Sequence, residues 1–214
     1  MRVVLASASP ARLEVLRRAG VVAEAIVSGV DEDAVSAESA AALTLTLARL
    51  KAGTVADELA PSDEPVLVIG CDSLLEFDGQ TAGKPADAPT AVHRWRAMRG
   101  HSGVLHTGHQ VIVADAEGAR AAEGVASTIV HFADVSDAEI DAYVATGEPL
   151  WVAGAFTVDG LGGPFVAGIE GDHHNVVGLS LPLLRTLLLE LGVDWTSLWQ
   201  PTPADATPVT DRVG

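Results

Sequence analysis

Short apolar runs alternate with helical patterns along this chain, and that alternation restricts the fold to one class. Runs at 2–6, 21–27 and 65–71 have the length and composition of strands. A helix begins at Ser9-Pro10, and a second is predicted over 36–59. Two long strands, 104–114 and 124–132, are joined by a turn at 116–118. Strands that alternate with helices, together with hairpins, predict a mixed α/β sheet flanked by helices.

The second half of the chain continues this pattern. A capping box of Ser136 and Glu139 begins a helix that is predicted to end near Gly147, and a leucine-rich helix is predicted over 179–191. The last residues are rich in Pro, Thr and Asp. We therefore expect one domain over 1–195 and a disordered tail over 196–214.

Composition excludes several classes of protein. The net charge of −16 argues against a nucleic-acid partner, because phosphate backbones favour clustered Lys and Arg. A single cysteine excludes an internal disulfide and is typical of a reducing compartment. The apolar run at the N-terminus is too short for a signal peptide, and no run is long enough to cross a membrane. The expected location is the cytoplasm.

Lysine is scarce here: the chain has two lysines, Lys51 and Lys84, against eleven arginines. A residue type that is otherwise avoided is expected where a compact ammonium is needed and a guanidinium does not serve. Lys84 lies in Gly83-Lys84-Pro85 and Lys51 lies on the long predicted helix. Both could bind phosphate, and the alternative for each is a solvated surface position.

The segment from Ser7 to Arg12 joins the first strand to the first helix. Such a turn directs backbone N–H groups and the helix dipole at an anion. The hydroxyls of Ser7 and Ser9 and the guanidinium of Arg12 would complete a phosphate site. The alternative is an ordinary helix cap followed by a surface arginine.

Three acidic or hydroxyl residues are candidates for catalysis or metal binding. Asp72 and Ser73 follow the apolar run at 65–71, and a carboxylate at the end of a central strand would face a cleft. Glu32 lies in an acidic loop that could supply an oxygen to a divalent cation or could simply be solvated. Adjacent His173 and His174 are interpreted as loop residues, since no set at zinc spacing accompanies them.

An ordered series of motifs resembles the Maf family of nucleotide pyrophosphatases. It extends over about residues 2–192 and consists of segments 5–12, 30–32, 47–52, 70–73, 78–79, 83–85, 107–108, 135–140, 143–150, 153–156, 160–162, 169–172 and 175–179. The resemblance implies a homodimeric cytoplasmic enzyme with an elongated, twisted mixed sheet. It also implies two lobes with a cleft between them, as in inosine triphosphatases.

The resemblance also implies an activity and assigns roles. The family hydrolyses a nucleoside triphosphate to the monophosphate and pyrophosphate with a divalent cation (Mg²⁺, Mn²⁺ or Co²⁺), which suggests cleaning of the nucleotide pool. Its catalytic carboxylate corresponds to Asp72, which with Glu32 would hold the metal. Its phosphate contacts correspond to a set shared by three segments: Ser7, Ser9, Arg12, Lys51 and Lys84.

Departures from the family bear on the choice of base. Relatives that prefer dTTP and UTP carry a second arginine where this chain has Ala11, and Lys and Gln where it has Val152 and Asp159. We expect Ala11, Ser73 and Asp159 to set specificity, and we favour a purine-type or modified-guanine substrate over dTTP. A carboxylate at Asp159 can accept hydrogen bonds from an amino-bearing base edge.

A second class of function is open to the same sequence. Some relatives are associated with cell division, so the chain could be a nucleotide-binding regulator of division or septum formation without essential catalysis. The presence of Asp72, Glu32, Lys51 and Lys84 together favours the enzyme.

Overall fold

A mixed sheet of seven strands is the frame of the protein in a computed structural model, which describes residues 1–59 and 64–200. The order across the sheet is β2-β1-β3-β5-β6-β7, and β4 pairs with the far end of β3. The strands are β1 (Arg2–Leu5), β2 (Glu24–Ala25), β3 (Val66–Phe77), β4 (Gln80–Ala82), β5 (Ser102–Asp115), β6 (Gly118–Phe132) and β7 (Val166–Glu170). Only β1 pairs in parallel, with β2 and β3, so the predicted mixed α/β sheet is confirmed.

Helices cover both faces of this sheet. They are α1 (Pro10–Arg18), α2 (Ala40–Glu58), α3 (Ala88–Met98), α4 (Asp137–Ala145), α5 (His173–Val177) and α6 (Leu181–Glu190). Each begins at a residue whose side chain accepts a backbone N–H, or at a proline in the first turn. The predicted start of α2 at residue 36 was four residues early, because Ser39 is its N-cap.

Two large hydrophobic cores, and a smaller one between α2 and strands β1 and β3, fill the interior of the described residues. One packs α1 and α6 against β1, β3 and β5, and includes Leu16, Leu67 and Leu184. The other lies around Trp95, which is fully buried, donates its indole N–H to the carbonyl of Ala155 at 2.7 Å and packs edge-on against three aromatic rings. An indole with its donor satisfied fixes the second core in one arrangement.

One edge of β3 is left open in its middle. β1 pairs with β3 as far as the Leu5–Ile69 pair, and β4 joins the same edge only from Leu75, opposite Ala82. Between them, residues 70–74 pair with β5 on the other side, but with no strand of the described residues on this side. The turn after β1 and the loop after β4 therefore border the same gap.

Helix α2 packs on the sheet next to this gap, and its backbone lies unusually close to β3 and β5. A Cβ atom added to Gly70 would lie 2.4 Å from the carbonyl oxygen of Ala48, and one added to Gly108 would lie 2.3 Å from the backbone of Thr44. Gly70 pairs with Gln110 and Gly108 pairs with Asp72, so the two glycines lie on neighbouring strands with one residue pair between their positions. Their missing side chains let the α2 backbone rest on the sheet.

Three predictions for the fold need correction. β3 runs to Phe77, so Asp72 lies within a strand rather than at its end, because antiparallel β5 supports the strand beyond β1. Of the predicted strand at 21–27, only Glu24–Ala25 pairs as a strand. The tail was placed at 196–214, but the 3-10 turn Trp195–Leu198 buries Leu198 in the first core; residues 201–214 lie outside the described part.

Among the described residues, no helix is both long and apolar enough to cross a bilayer.

The α2 contact gives a stability prediction. Gly108→Ala should lower the free energy of unfolding by about 2–3 kcal/mol, because the new methyl meets backbone that cannot rotate away. Gly53→Ala on α2 is the control: nothing lies within 4 Å of its added Cβ, so it should raise stability by about 0.5–1 kcal/mol. Urea unfolding of both variants measures this, and equal effects would mean that α2 does not rest on Gly108.

Candidate functional site

A buried ion pair lies beside the gap, between α2 and β3. The Nζ atom of Lys51 is 2.6 Å from Oδ1 of Asp72 and 2.6 Å from Oε1 of Glu32. The side chains of Lys51 and Asp72 are 10% and 8% exposed, whereas that of Glu32 is 55% exposed. Lys51 is therefore not on a solvated helix face, and the structure brings these three predicted residues together.

The carboxyl group of Asp72 is in an unusual electrostatic position. Burial raises its pKa, and this outweighs the opposing effects of the Lys51 ammonium and the Arg12 guanidinium, while Glu32 raises it further. A carboxylate that is desolvated and held by one ammonium is a better proton acceptor than a solvated one. Buried groups with such shifts cluster at functional sites, so Asp72 is the best candidate base in the described residues.

Arg12 is buried and joins three parts of the chain. Its guanidinium donates to Oγ of Ser7 at 3.1 Å and to Oγ of Ser73 at 3.0 Å. It also donates to two backbone carbonyls, those of Cys71 at 2.9 Å and Gly178 at 2.7 Å. These four hydrogen bonds use most of the five N–H donors of the guanidinium. Arg12, which was predicted to bind phosphate, therefore mainly holds the turn after β1 in place.

The turn after β1 has the form expected of an anion site. Ser9 caps α1, its Oγ accepting the N–H of Arg12 at 3.4 Å, and Pro10 follows. The backbone N–H of Ser9 donates to Oγ of Ser7 at 3.2 Å. With both hydroxyls half-buried at the first turn of a helix, the segment can receive a negatively charged group.

Lys84 reaches the gap from its other side. Its side chain is exposed, and it follows β4, whose last residue, Ala82, pairs with Leu75. The preceding residue is held in place: the carbonyl of Gly83 accepts from Nη1 of Arg94 at 2.7 Å and from the N–H of Gly154 at 3.1 Å. An exposed ammonium on a fixed loop beside the gap is suited to a phosphate ligand.

A cavity of about 170 Å³ opens between α1 and α5. Ala11, Asp159, His173 and His174 are among the residues that line it. The two histidines are in α5 rather than in a loop, because Asp172 caps that helix. Two of the three predicted specificity residues thus share one cavity, although they are far apart in the sequence.

Ser73, the third predicted specificity residue, belongs to a buried hydrogen-bond chain instead. Its Oγ lies 2.9 Å from Oγ1 of Thr107, which donates to the backbone carbonyl of Asn175 at 3.3 Å. The side-chain amide of Asn175 donates to the Leu105 carbonyl and to Oγ1 of Thr128. Thr107 and Asn175 occur in motifs already noted, but their burial depends on the pairing of β5 and β6.

His109 is a second buried residue that the sequence did not single out. It is fully buried, its Nδ1 donates to the Thr107 carbonyl at 3.0 Å, and its Nε2 accepts the N–H of Ser180 at 2.9 Å. Burial lowers its pKa to about 4, and the hydrogen bond to Thr107 opposes that effect. A neutral imidazole thus holds the start of α6 against β5.

Comparison with known proteins identifies the family. Residues 2–191 match the family described as Maf-like protein. The chain belongs to this family.

Curated Maf relatives match the chain over nearly its whole length. A protein of Salinispora tropica, named nucleoside triphosphate pyrophosphatase, is 61% identical over 97% of this chain and 95% of its own. A protein of Streptomyces coelicolor with the same name is 58% identical over 94% of this chain and 95% of its own. Among solved structures, the Ham1 protein of Staphylococcus aureus aligns with 63% of this chain and 73% of its own, at 14% identity and a TM-score of 0.34.

The lowered pKa of His109 predicts how stability depends on pH. Because its folded pKa of about 4 lies below the ordinary value of 6.5, the unfolded chain binds the proton first as pH falls. This contribution to stability is complete above pH 6.5 and is lost as the pH falls towards 4. Between pH 7 and pH 5 it should remove about 2 kcal/mol.

Urea unfolding at pH 7, 6 and 5 measures this effect. The free energy of unfolding of His109→Gln should fall less over this range than that of wild type, by about 2 kcal/mol. His93→Gln, the same change at an exposed histidine, should follow wild type. Parallel pH profiles for wild type and His109→Gln would contradict the assignment.

Proposed function

We propose that this Maf-like protein hydrolyses a nucleoside triphosphate, whether standard, modified or non-standard, to the nucleoside monophosphate and pyrophosphate. The observation that carries the proposal is the buried Asp72–Lys51 pair beside a gap bordered by an anion-binding turn and Lys84. The relatives' name agrees with it. Such an enzyme removes unwanted nucleotides from the pool.

The residues around the gap divide the chemistry between them. Asp72 accepts a proton from a water molecule, whose oxygen attacks the α-phosphorus. The bond between the α-phosphorus and the bridging oxygen breaks, and pyrophosphate leaves with that oxygen. Lys51 and Lys84 neutralise the charge that develops on the phosphates, and Arg12 holds Ser7 and Ser9 in place to receive them.

The donor set near Asp72 fits a divalent cation such as Mg²⁺, Mn²⁺ or Co²⁺. Asp72 and Glu32 both place a carboxylate oxygen 2.6 Å from Nζ of Lys51, so the ammonium occupies the point on which these oxygens converge, and a cation would be held by the remaining carboxylate oxygens. The described residues contain no group of three or more His, Cys, Asp or Glu side chains that could hold a metal ion. One or two carboxylates plus substrate phosphates are a usual set for Mg²⁺. The cation would supply charge neutralisation on the triphosphate.

We assign the choice of base to the cavity between α1 and α5. Phosphate contacts are common to all nucleotides, so discrimination requires a wall that meets the base. Ala11 adds only a methyl group to that wall, where Glu14 and Arg18 supply charges of opposite sign, and Asp159 offers an acceptor. Ser73 would act indirectly, through Arg12. These features favour a purine with an amino group, of the guanine type.

The other properties follow from the family and from composition. We propose a single functional domain that includes the buried Leu198 and acts as a homodimer in the cytoplasm. A net charge of −16 weighs against nucleic acid as a partner.

Asp72→Asn tests the catalytic assignment. Turnover should fall by a factor on the order of 10² or more, while triphosphate binding survives, because the amide cannot accept the proton. Glu76→Gln is the matched control: it removes a carboxylate from the same face of β3, four residues further on, and should keep wild-type turnover. Pyrophosphate release and nucleotide binding are measured for both.

The outcomes separate the candidate functions. Wild-type turnover in a folded Asp72→Asn variant would refute Asp72 as the base. A wild-type protein that binds triphosphates but releases no pyrophosphate from any of them would favour the regulator of cell division.

Asp159→Gln tests the choice of base. The ratio of kcat/KM for GTP to that for UTP should fall by about tenfold, because a carboxylate that accepts from an amino-bearing edge is lost. Asp141→Asn, an exposed residue on α4, is the control and should leave the ratio unchanged. An unchanged ratio in Asp159→Gln with full activity would make Asp159 structural.

A further inference from the structure

A loop beside the second core is wrapped around the carboxylate of Glu148. Oε1 of Glu148 accepts from Oγ1 of Thr157 at 2.5 Å, from the N–H of Gly162 at 3.1 Å and from the hydroxyl of Tyr143 at 3.1 Å. Oε2 accepts the N–H of Leu161 at 3.0 Å. One half-buried carboxylate thus satisfies four donors, two of which are loop amides.

The fit of this loop is too close for larger residues. A Cβ added to Gly160 would lie 2.7 Å from Oε2 of Glu148, and one added to Gly162 would lie 2.5 Å from the hydroxyl of Tyr143. Burial raises the pKa of Glu148, but the hydrogen bonds from Thr157, Leu161 and Gly162 outweigh it, and the net effect is a lowered pKa. The loop is therefore built around the ionised carboxylate.

The support behind the carboxylate is rigid. Tyr143 is 3% exposed and packs edge-on against Trp95 and Phe165 in the second core. Burial raises its pKa to about 12, so its hydroxyl stays protonated and remains a donor. Its oxygen also accepts the N–H of Thr157 at 3.2 Å. Through Tyr143, the second core fixes one end of the loop.

Asp159 is carried by the loop that this network anchors. Asp159 lies between Thr157 and Leu161, which both bind Glu148, and it lines the same cavity as α1. Asp159 itself is exposed, so its place depends on the loop that carries it. The anchors on both sides converge on Glu148.

We propose that Glu148 is a positioning residue for base selection: it holds the loop at 157–162 so that Asp159 stands against the Ala11 side of the cavity. This inference rests on the proposed function, and it adds a residue that touches neither the phosphates nor the base. A displacement of about 1 Å at a contact group is enough to change selectivity strongly.

Glu148→Gln is the test variant. Its amide oxygen can keep three of the four donors, but its NH₂ group would face the N–H of Leu161, and two donors cannot pair. Glu139→Gln is the matched control, because Glu139 lies on α4, the helix that also carries Tyr143. Its carboxylate caps that helix through Ser136 and does not contact the loop. Both variants are compared with wild type in the full chain.

Two measurements are made on each protein. The first is kcat and KM with GTP and with UTP: Glu148→Gln should change the ratio of kcat/KM by about fivefold or more through KM, with kcat for the better substrate nearly unchanged. The second is amide hydrogen exchange: protection of Leu161 and Gly162 should fall about tenfold in Glu148→Gln. Glu139→Gln should leave both readings at wild-type values.

Each result decides the proposal. It is overturned if the amides keep their protection in Glu148→Gln, if protection falls but the ratio does not move, or if Glu139→Gln moves the ratio equally. A wild-type protein without turnover on any triphosphate would refute the proposed function instead. In that case intact protection in Glu148→Gln would still refute the loop anchor, and lost protection would support it.

Discussion

The close contact between α2 and the sheet is the constraint on which the site depends. Two glycines, Gly70 and Gly108, let the helix backbone approach β3 and β5. That approach brings Lys51 onto Asp72 and removes both from solvent. A buried charge is tolerated only when it is paired, and here each partner requires the other. Packing of α2 therefore produces the electrostatics of the site as well as the core.

The open edge of β3 gives a ligand access to this buried pair. The turn that contains Ser7 lies on one side of the unpaired part of that edge, and the loop that contains Lys84 lies on the other. The site is thus assembled from segments that belong to different parts of the sheet. Arg12 ties the turn after β1 to the residues on either side of Asp72, through the Cys71 carbonyl and Oγ of Ser73.

Much of the fold was accessible from the sequence because its signals are local. The apolar runs, the capping box of α4 and the prolines at helix starts predict most elements to within a few residues. The errors arise where pairing between strands determines how far a strand extends. β3 continues past Asp72 only because β5 lies beside it, and the strand predicted at 21–27 has a partner over just two residues.

The site was predictable as a set of residues but not as a set of roles. Residue types and motif order selected Asp72, Lys51 and Glu32, which do meet. Nothing local to Arg12 indicates that its guanidinium is committed to protein oxygens, or that Ser73 faces Thr107. Glu148 and His109 were missed for the same reason: each depends on a distant partner, Leu161 and Gly162 for Glu148 and Ser180 for His109, that becomes a neighbour only in the folded chain.

The reach of Arg12 has a consequence for the order of synthesis. Its guanidinium is bonded to Gly178, which is 166 positions later in the chain. The ribosome releases the N-terminal turn long before Gly178, so the hydrogen bond between Arg12 and Gly178 can form only after synthesis has passed that residue. A nascent chain can form β1 and α1 early, yet the turn between them gains its bond to Gly178 only late in synthesis. The nucleotide site proposed at this turn would therefore be complete only after Gly178 has been made.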